Sequence, residues 1–459
     1  MPSPELQDLL SSGDLTSVQI VETYLAQIEK HNHAGAHLSA IITVAHREIA
    51  LSRYEDHCWI VLFLEGNCEG ECGSDYEGLD HFLRRLSILT TLQLLEQGMI
   101  ILGTANLSEF CGYKAEEMTP GWSAMGGQTR SAYDLDSDLS IPPNPWCNAA
   151  MRRLVVWFSS RNSAGFAPWS LGTETGGSLV YPTSLYAIRP TLGHVPSKGV
   201  YRISKSYDGI GAMARTPEDL ANLVEGILTS EIQGHLPWKG FTYYMTKSWK
   251  DWKIGIADST WGMSSQETRD KWTSAPVAIY PASLPEGSLK FEDLTMRDIA
   301  YQEFNEVSRE FCDGFEDPEV RTAKDIVKFN EENAELAMPE PHTNQEELIA
   351  SSQSALTEER CDKARSEIRR LAGEDGRAKY IRENDLDLII ANSDSTLIYF
   401  TACSGYPGAT VPLGNLENGQ PYGLFLLATT HGGADMFSFM SAFEATFPKV
   451  KGPTLAWYF

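Results

Sequence analysis

The chain has 459 residues and a formal net charge of −25, with hydrophobic residues at 42% and charged residues at 22%. That length suits one large α/β domain or two to three ordinary ones, and the apolar fraction is that of a globular protein. So large an acidic excess argues against a nucleic-acid surface, which needs clustered Lys and Arg, and no apolar run of about 18 residues is present to span a membrane.

The opening MPSPELQDLL has no basic stretch leading into an apolar one, so no secretory signal is expected. Eight cysteines in so long a chain do not make a disulfide framework, and reduced thiols in a cytoplasmic protein are the expectation. Ser3-Pro4 begins a short helix that should stop at Gly13, and a clearer helix starts at Thr16. Gln19 stands where its side chain and that of Thr16 can cap each other's backbone amides. Val21, Tyr24, Leu25 and Ile28 recur at helical intervals and predict one buried face.

Residues 38–44 and 60–64 read as strands, 88–97 as a helix ended by Gly98, and 99–102 as a short strand. That helix–glycine–strand order predicts a sheet with helices on its faces. Farther on, Thr216-Pro217-Glu218-Asp219 is a helix start, with proline in the first turn and an acid three residues after the cap. Residues 252–257 read as a strand. From about 303 to 382 the composition turns acidic and helical, which predicts solvated helices flanking a core, and the buried-strand pattern resumes at 386–391. There is no internal repeat, low-complexity linker or evident domain boundary.

The richest stretch for chemistry runs from 163 to 191. Its middle, Gly172-Thr173-Glu174-Thr175-Gly176-Gly177-Ser178, places glycines and hydroxyls between apolar runs. Glycines there allow a substrate close to the main chain, consecutive N–H groups can converge on a developing oxyanion, and Ser178 follows as a nucleophile. On the residues alone, a phosphate-binding or merely tight turn is an equal reading.

This stretch resembles the signature of the amidase signature family, whose usual form is G-T-D-T-G-G-S-I-R-x-P. Three further segments are similar to that family in the same order. Gly103-Thr104-Ala105-Asn106-Leu107-Ser108-Glu109-Phe110 resembles its G-K-x-N-L-S-E-F. Near the C-terminus, Ser404-Gly405-Tyr406-Pro407 through Gly414 and Pro421 through Leu426 resemble its A-G-Y-P-x-x-x-V-P-L-G and P-x-G-L-Q-F. The resemblance implies an α/β/α layered fold with a large mixed sheet in one domain over 1–459. Its signature core would lie at about 99–225, an acidic helical segment at about 303–382, and a closing sheet and helix at 386–459.

The resemblance also implies hydrolysis of a small-molecule amide by a serine nucleophile, a second serine and a lysine. A serine hydroxyl is too weak an acid to attack unaided, so a base must take its proton. Ser178 matches the nucleophile, and Thr175, Gly176 and Gly177 match the loop whose N–H groups form the oxyanion hole. The other two members do not carry over. The lysine position falls on Leu64 or Glu65, depending on the anchor, and the middle serine falls on Leu154. Residues 152–159 can be encoded by a string whose next reading frame spells Gly-Gly-Ser-Ser-Ser-Gly-Ser, the family's motif, so a local frameshift or misplaced exon boundary is the hypothesis for the substitution, which the genomic codons decide.

Two lesser candidates remain. His57, Cys58, Cys68 and Cys72 match no standard zinc spacing and read as surface residues, so no metal is expected. His194 reads as structural, with a Ser178–His194 pair as the alternative base arrangement. Nothing in the sequence calls for a cofactor. The readings carried forward are an amidase-like hydrolase, a catalytically inactive amidase-fold binding protein, and the product of a damaged or misannotated gene.

Overall fold

The computed structural model describes residues 3–44, 59–60, 63–65, 89–116, 118–133, 164–181, 184–257, 278–282, 289–315, 320–393, 395–415, 419, 421–453 and 455. Eleven strands form one mixed sheet: β1 (Ile41–Val44), β2 (Phe63–Glu65), β3 (Gly103–Ala105), β4 (Trp169–Glu174), β5 (Tyr186–Arg189), β6 (Gly209–Ala214), β7 (Lys253–Ala257), β8 (Ala278–Ala282), β9 (Leu388–Asn392), β10 (Gly408–Asn415) and β11 (Pro421–Leu427). Their spatial order is β1-β3-β2-β4-β6-β5-β10-β11-β9-β7-β8.

The side-chain period of two sorts the central strands between two cores. On β11, Leu424 and Leu426 face one cluster while Phe425 and Leu427 face the other. On β6, Ile210, Ala212 and Ala214 join the first cluster and Met213 the second. Both faces are therefore covered, which explains why these strands read as nearly unbroken apolar runs. The first core is closed by the helices Pro217–Ile227 and Gly433–Thr446, the second by Glu358–Ala372 and Ile398–Ser404. This is the expected α/β architecture with helices on either side of a large mixed sheet.

Local signals placed most helices. Ser17–His31 begins with the expected capping box: the Gln19 amide donates to Thr16 Oγ1 at 3.2 Å and the Thr16 amide to Gln19 Oε1 at 2.8 Å. Its buried face carries Val21, Tyr24 and Ile28 as predicted, whereas Leu25 is only half-buried. Thr216 Oγ1 accepts from the Asp219 amide at 3.1 Å and starts the helix at Pro217. Leu89–Glu96 ends before Gly98, whose φ of +80° turns the chain back.

The short strands around residue 100 differ from expectation. Among the described residues, Met99–Ile100 pairs only with Trp59–Ile60 in a separate two-stranded ribbon, and the strand that joins the main sheet is Gly103–Ala105. The stretch read as one strand over 60–64 is likewise divided between that ribbon and β2. Strands two or three residues long carry too little periodicity to resolve such a split. Among the described residues, no helix is long and apolar enough to cross a membrane.

Candidate active site

β4 is central, flanked by β2 and β6, and all six of its residues are buried. At its C-terminal end the chain leaves the sheet through Thr175, Gly176 and Gly177 and folds back so that Leu179 and Val180 enter the second core. Ser178 sits between these two anchors and is half-buried. Gly177 is required here for two reasons. Its φ is +134°, and a β-carbon on it would come within 2.1 Å of the Tyr181 ring. Beside the loop lies Tyr399, whose ring would stand 3.4 Å from a β-carbon on Gly176.

Two buried carboxylates hold the loop. Glu174 is 2% exposed and accepts from the amides of Gly177, Leu179 at 2.6 Å and Val180 at 3.2 Å. Burial pushes its carboxyl above the usual carboxylate range, against the lowering effect of those amides and of Arg189. Asp208, just before β6, accepts from Thr175 Oγ1 at 2.8 Å and from the Ile203 amide at 2.6 Å. Burial raises it to about 6.

The amide expected to contribute from Gly177 is thus committed to Glu174. The physical reason lies in the sequence: where the family's signature has aspartate this chain has glutamate, one methylene longer, and the carboxylate reaches over the turn to residues 177, 179 and 180. Among the described residues, the amides of Thr175, Gly176 and Ser178 have no such partner.

The remaining candidates separate clearly. β2 runs parallel to β4 with Phe63 opposite Ser170, so the backbone at Leu64 and Glu65 advances toward the same end of the sheet as the Ser178 loop. Leu154, the whole of 152–159, His57, Cys58, Cys68 and Cys72 lie outside the described residues. His194 stacks on His431 with ring centroids 5.6 Å apart, and its carbonyl accepts from the Thr229 amide at 2.8 Å. Partial burial and the neighbouring imidazole push its pKa below the ordinary value, keeping the ring neutral at pH 7. Lys114 is fully buried, but its ammonium donates to Glu109 Oε2 at 2.5 Å and to the Ala337 carbonyl. Such an ion pair is no free base.

Sequence reading missed Glu174 and Asp208 as the struts of the loop. A charge enclosed by apolar strand residues, as in Leu171-Gly172-Thr173-Glu174 and Tyr207-Asp208-Gly209-Ile210, was the available signal.

The amidase family model matches residues 162–432, which cover β4, the Ser178 loop, β6 and the sheet through β11. The chain belongs to the amidase family. A probable amidase of Arabidopsis thaliana is 27% identical over 350 residues, 72% of this chain and 65% of that protein. A glutamyl-tRNA(Gln) amidotransferase component from Alkalilimnicola ehrlichii is 27% identical over 302 residues, 60% of this chain and 57% of that protein. This amidase-family chain thus matches about three-fifths of the length of those curated relatives. In fold it is similar to the peptide amidase of Stenotrophomonas maltophilia, with a TM-score of 0.80 at 22% identity over 98% of this chain and 97% of that one. An amidase family protein of Bacillus anthracis gives the same TM-score of 0.80 at 22% identity, over 99% of this chain and 92% of that one.

Proposed function

We propose that this chain is an amidase-type hydrolase of a small-molecule amide, with Ser178 as nucleophile. The observation that carries the reading is the half-buried serine at the end of β4, preceded by unpaired main-chain amides in a loop fixed by Glu174 and Asp208. In this reading Ser178 Oγ attacks the amide carbonyl, and the Thr175 and Gly176 amides hold the tetrahedral oxyanion. The proton lost by Ser178 Oγ passes to the departing amine as the C–N bond breaks, and water then hydrolyses the acyl-serine to the acid and restores the serine hydroxyl. Donors already fixed before reaction need no reorganisation as charge develops, which is why each such donor is worth about 10²–10³ in rate.

The base is the weak point. The lysine position falls on Leu64 or Glu65 and the relay position on Leu154. In a comparable hydrolase, loss of the base with the cradle kept leaves roughly 10³–10⁴ over water, so slow turnover is expected. The same substitutions favour a second reading, an amidase-fold protein that binds its amide without cleaving it.

A serine-directed fluorophosphonate probe separates the two. The hydrolase labels, and labelling disappears in Ser178→Ala. An unlabelled chain that still unfolds cooperatively supports the binding reading. Glu65→Lys combined with Gly-Gly-Ser-Ser-Ser-Gly-Ser in place of residues 152–158 should then raise amide hydrolysis if only the base and relay are missing.

A further inference from the structure

A second cleft opens at the end of β4 away from Ser178. Trp169 begins that strand and Glu174 ends it, so roughly 16 Å of extended backbone lies between the cleft and the Ser178 loop. The cleft has a volume of about 570 Å³, and its walls include Gln97, Trp169, Asn222, Glu225, Gln233 and Trp238. A space of that size suits a small organic molecule.

Its polar walls offer unpaired acceptors. Gln97 Nε2 donates to the carbonyls of Gln93 at 3.0 Å and Gly226 at 2.8 Å, and Gln233 Nε2 donates to the Glu225 carbonyl at 2.7 Å. Both glutamines thus spend their N–H groups on consecutive carbonyls at the end of the helix Pro217–Ile227, and their oxygens are left over. Asn222 and Glu225 stand three residues apart on that helix and so share a face, and the Asn222 side chain has no partner among the described residues.

Glu225 Oε1 accepts from the Phe241 amide in the tight helical turn Gly240–Tyr244, while Oε2 has no partner among the described residues. No cation pairs with this half-buried carboxylate, and burial pushes it above the usual carboxylate range against the Phe241 amide. Two glycines leave the oxygens uncovered. A β-carbon on Gly226 would come within 3.0 Å of Gln97 Oε1, and one on Gly240 within 2.0 Å of Glu225 Oε2. On the rim, Trp238 is 84% exposed, and Lys239 Nζ lies 4.7 Å from its ring centroid, so the indole already attracts a cation.

We propose that this cleft binds a primary ammonium ligand with an alkyl or aryl body, the ammonium on Glu225 Oε2 and the body against Trp238, Leu236 and Pro237. An ammonium carries three N–H donors and no acceptor. It therefore matches a wall of leftover oxygens and supplies the positive charge that Glu225 lacks. A sugar would need donors from the protein as well as acceptors, and the glutamine N–H groups are committed elsewhere.

The test is calorimetric titration of the full chain with 2-phenylethylammonium chloride, with 2-phenylethanol as the neutral comparison. The ammonium should bind one to one and at least about tenfold more tightly than the alcohol. Glu225→Gln keeps an acceptor for the Phe241 amide but removes the charge, and should weaken ammonium binding about tenfold or more. Trp238→Ala should weaken it a few-fold. Equal affinity for the alcohol, no binding of the ammonium, or undiminished binding by Glu225→Gln overturns the proposal. If Glu225→Gln does not fold, wild-type crystals soaked in 2-(4-bromophenyl)ethylammonium decide it. A bromine anomalous peak beside Trp238 supports the site, and its absence from the cleft refutes it.

Discussion

Glu174 and Glu109 are buried to nearly the same degree, 2% and 1% exposed, yet their surroundings solve the problem of an interior carboxylate differently. Glu174 is held by main-chain amides of its own loop. Glu109 is held chiefly by an ammonium, that of Lys114, with the Ala124 amide at 3.3 Å. The two regions touch, since Cys111 Sγ lies 3.7 Å from Thr173 Oγ1. The two carboxylates divide the labour. Amide donors are fixed to the backbone, so a carboxylate that gathers them dictates the path of one loop. Lys114, paired locally with Glu109, also donates to the Ala337 carbonyl, so the same ammonium ties this segment to a part of the chain far away in sequence.

Lys114→Met should have the strongest effect. It leaves Glu109 as a buried charge without its cation, which should destabilise the fold by about 3–5 kcal/mol in urea unfolding. Glu109→Leu/Lys114→Met should recover most of the loss, because the desolvation penalty goes with both charges. Were the double variant no better than the single one, the pair would be holding position by shape rather than by charge. Glu174→Gln is smaller and local. Glutamine offers one acceptor oxygen and turns an NH₂ toward amides that need acceptors, at about 1–3 kcal/mol for a group left unsatisfied. Its distinguishing effect is on the site: fluorophosphonate labelling of Ser178 should slow more than it does in Lys114→Met, which leaves the Ser178 loop's own struts in place.

Much of this was legible from residues alone. The capping box at Thr16, the proline-led helix at Pro217 and the buried strand at Leu388–Asn392 follow from local rules that tertiary context did not override. The Ser178 loop was legible because glycine at positive φ and an adjacent hydroxyl form a contiguous pattern. The roles of Asp208, Arg189 and Arg377 were not, because each acts through a partner far along the chain. Arg189 meets Thr401 and Tyr406, and Arg377 meets Ser404, across sheet and helix contacts that no spacing rule announces. The split of the ribbon at Met99–Ile100 from β3 was also hidden, since pairing partners rather than composition decide it.

The finest test of the amide-held region uses Asp208, whose carboxyl is raised by burial from 3.8 to about 6. An acid with a raised folded-state pKa binds more protons folded than unfolded, so stability falls as pH rises. The loss begins as the unfolded carboxyl ionises near pH 4 and is complete above about pH 6. Between pH 5 and pH 7 this one group should remove on the order of 1 kcal/mol. Glu174 is shifted in the same direction, so the wild-type slope alone is not diagnostic. The informative quantity is the difference between wild type and Asp208→Asn in urea midpoints measured across pH 4–7. Asparagine keeps an oxygen for Thr175 Oγ1 but cannot ionise, so the variant's stability should fall less steeply with pH by about that amount, whatever its absolute level. Parallel curves would mean that Asp208 ionises as easily folded as unfolded, and the hydroxyl of Thr175 and the amide of Ile203 would then have offset its burial completely.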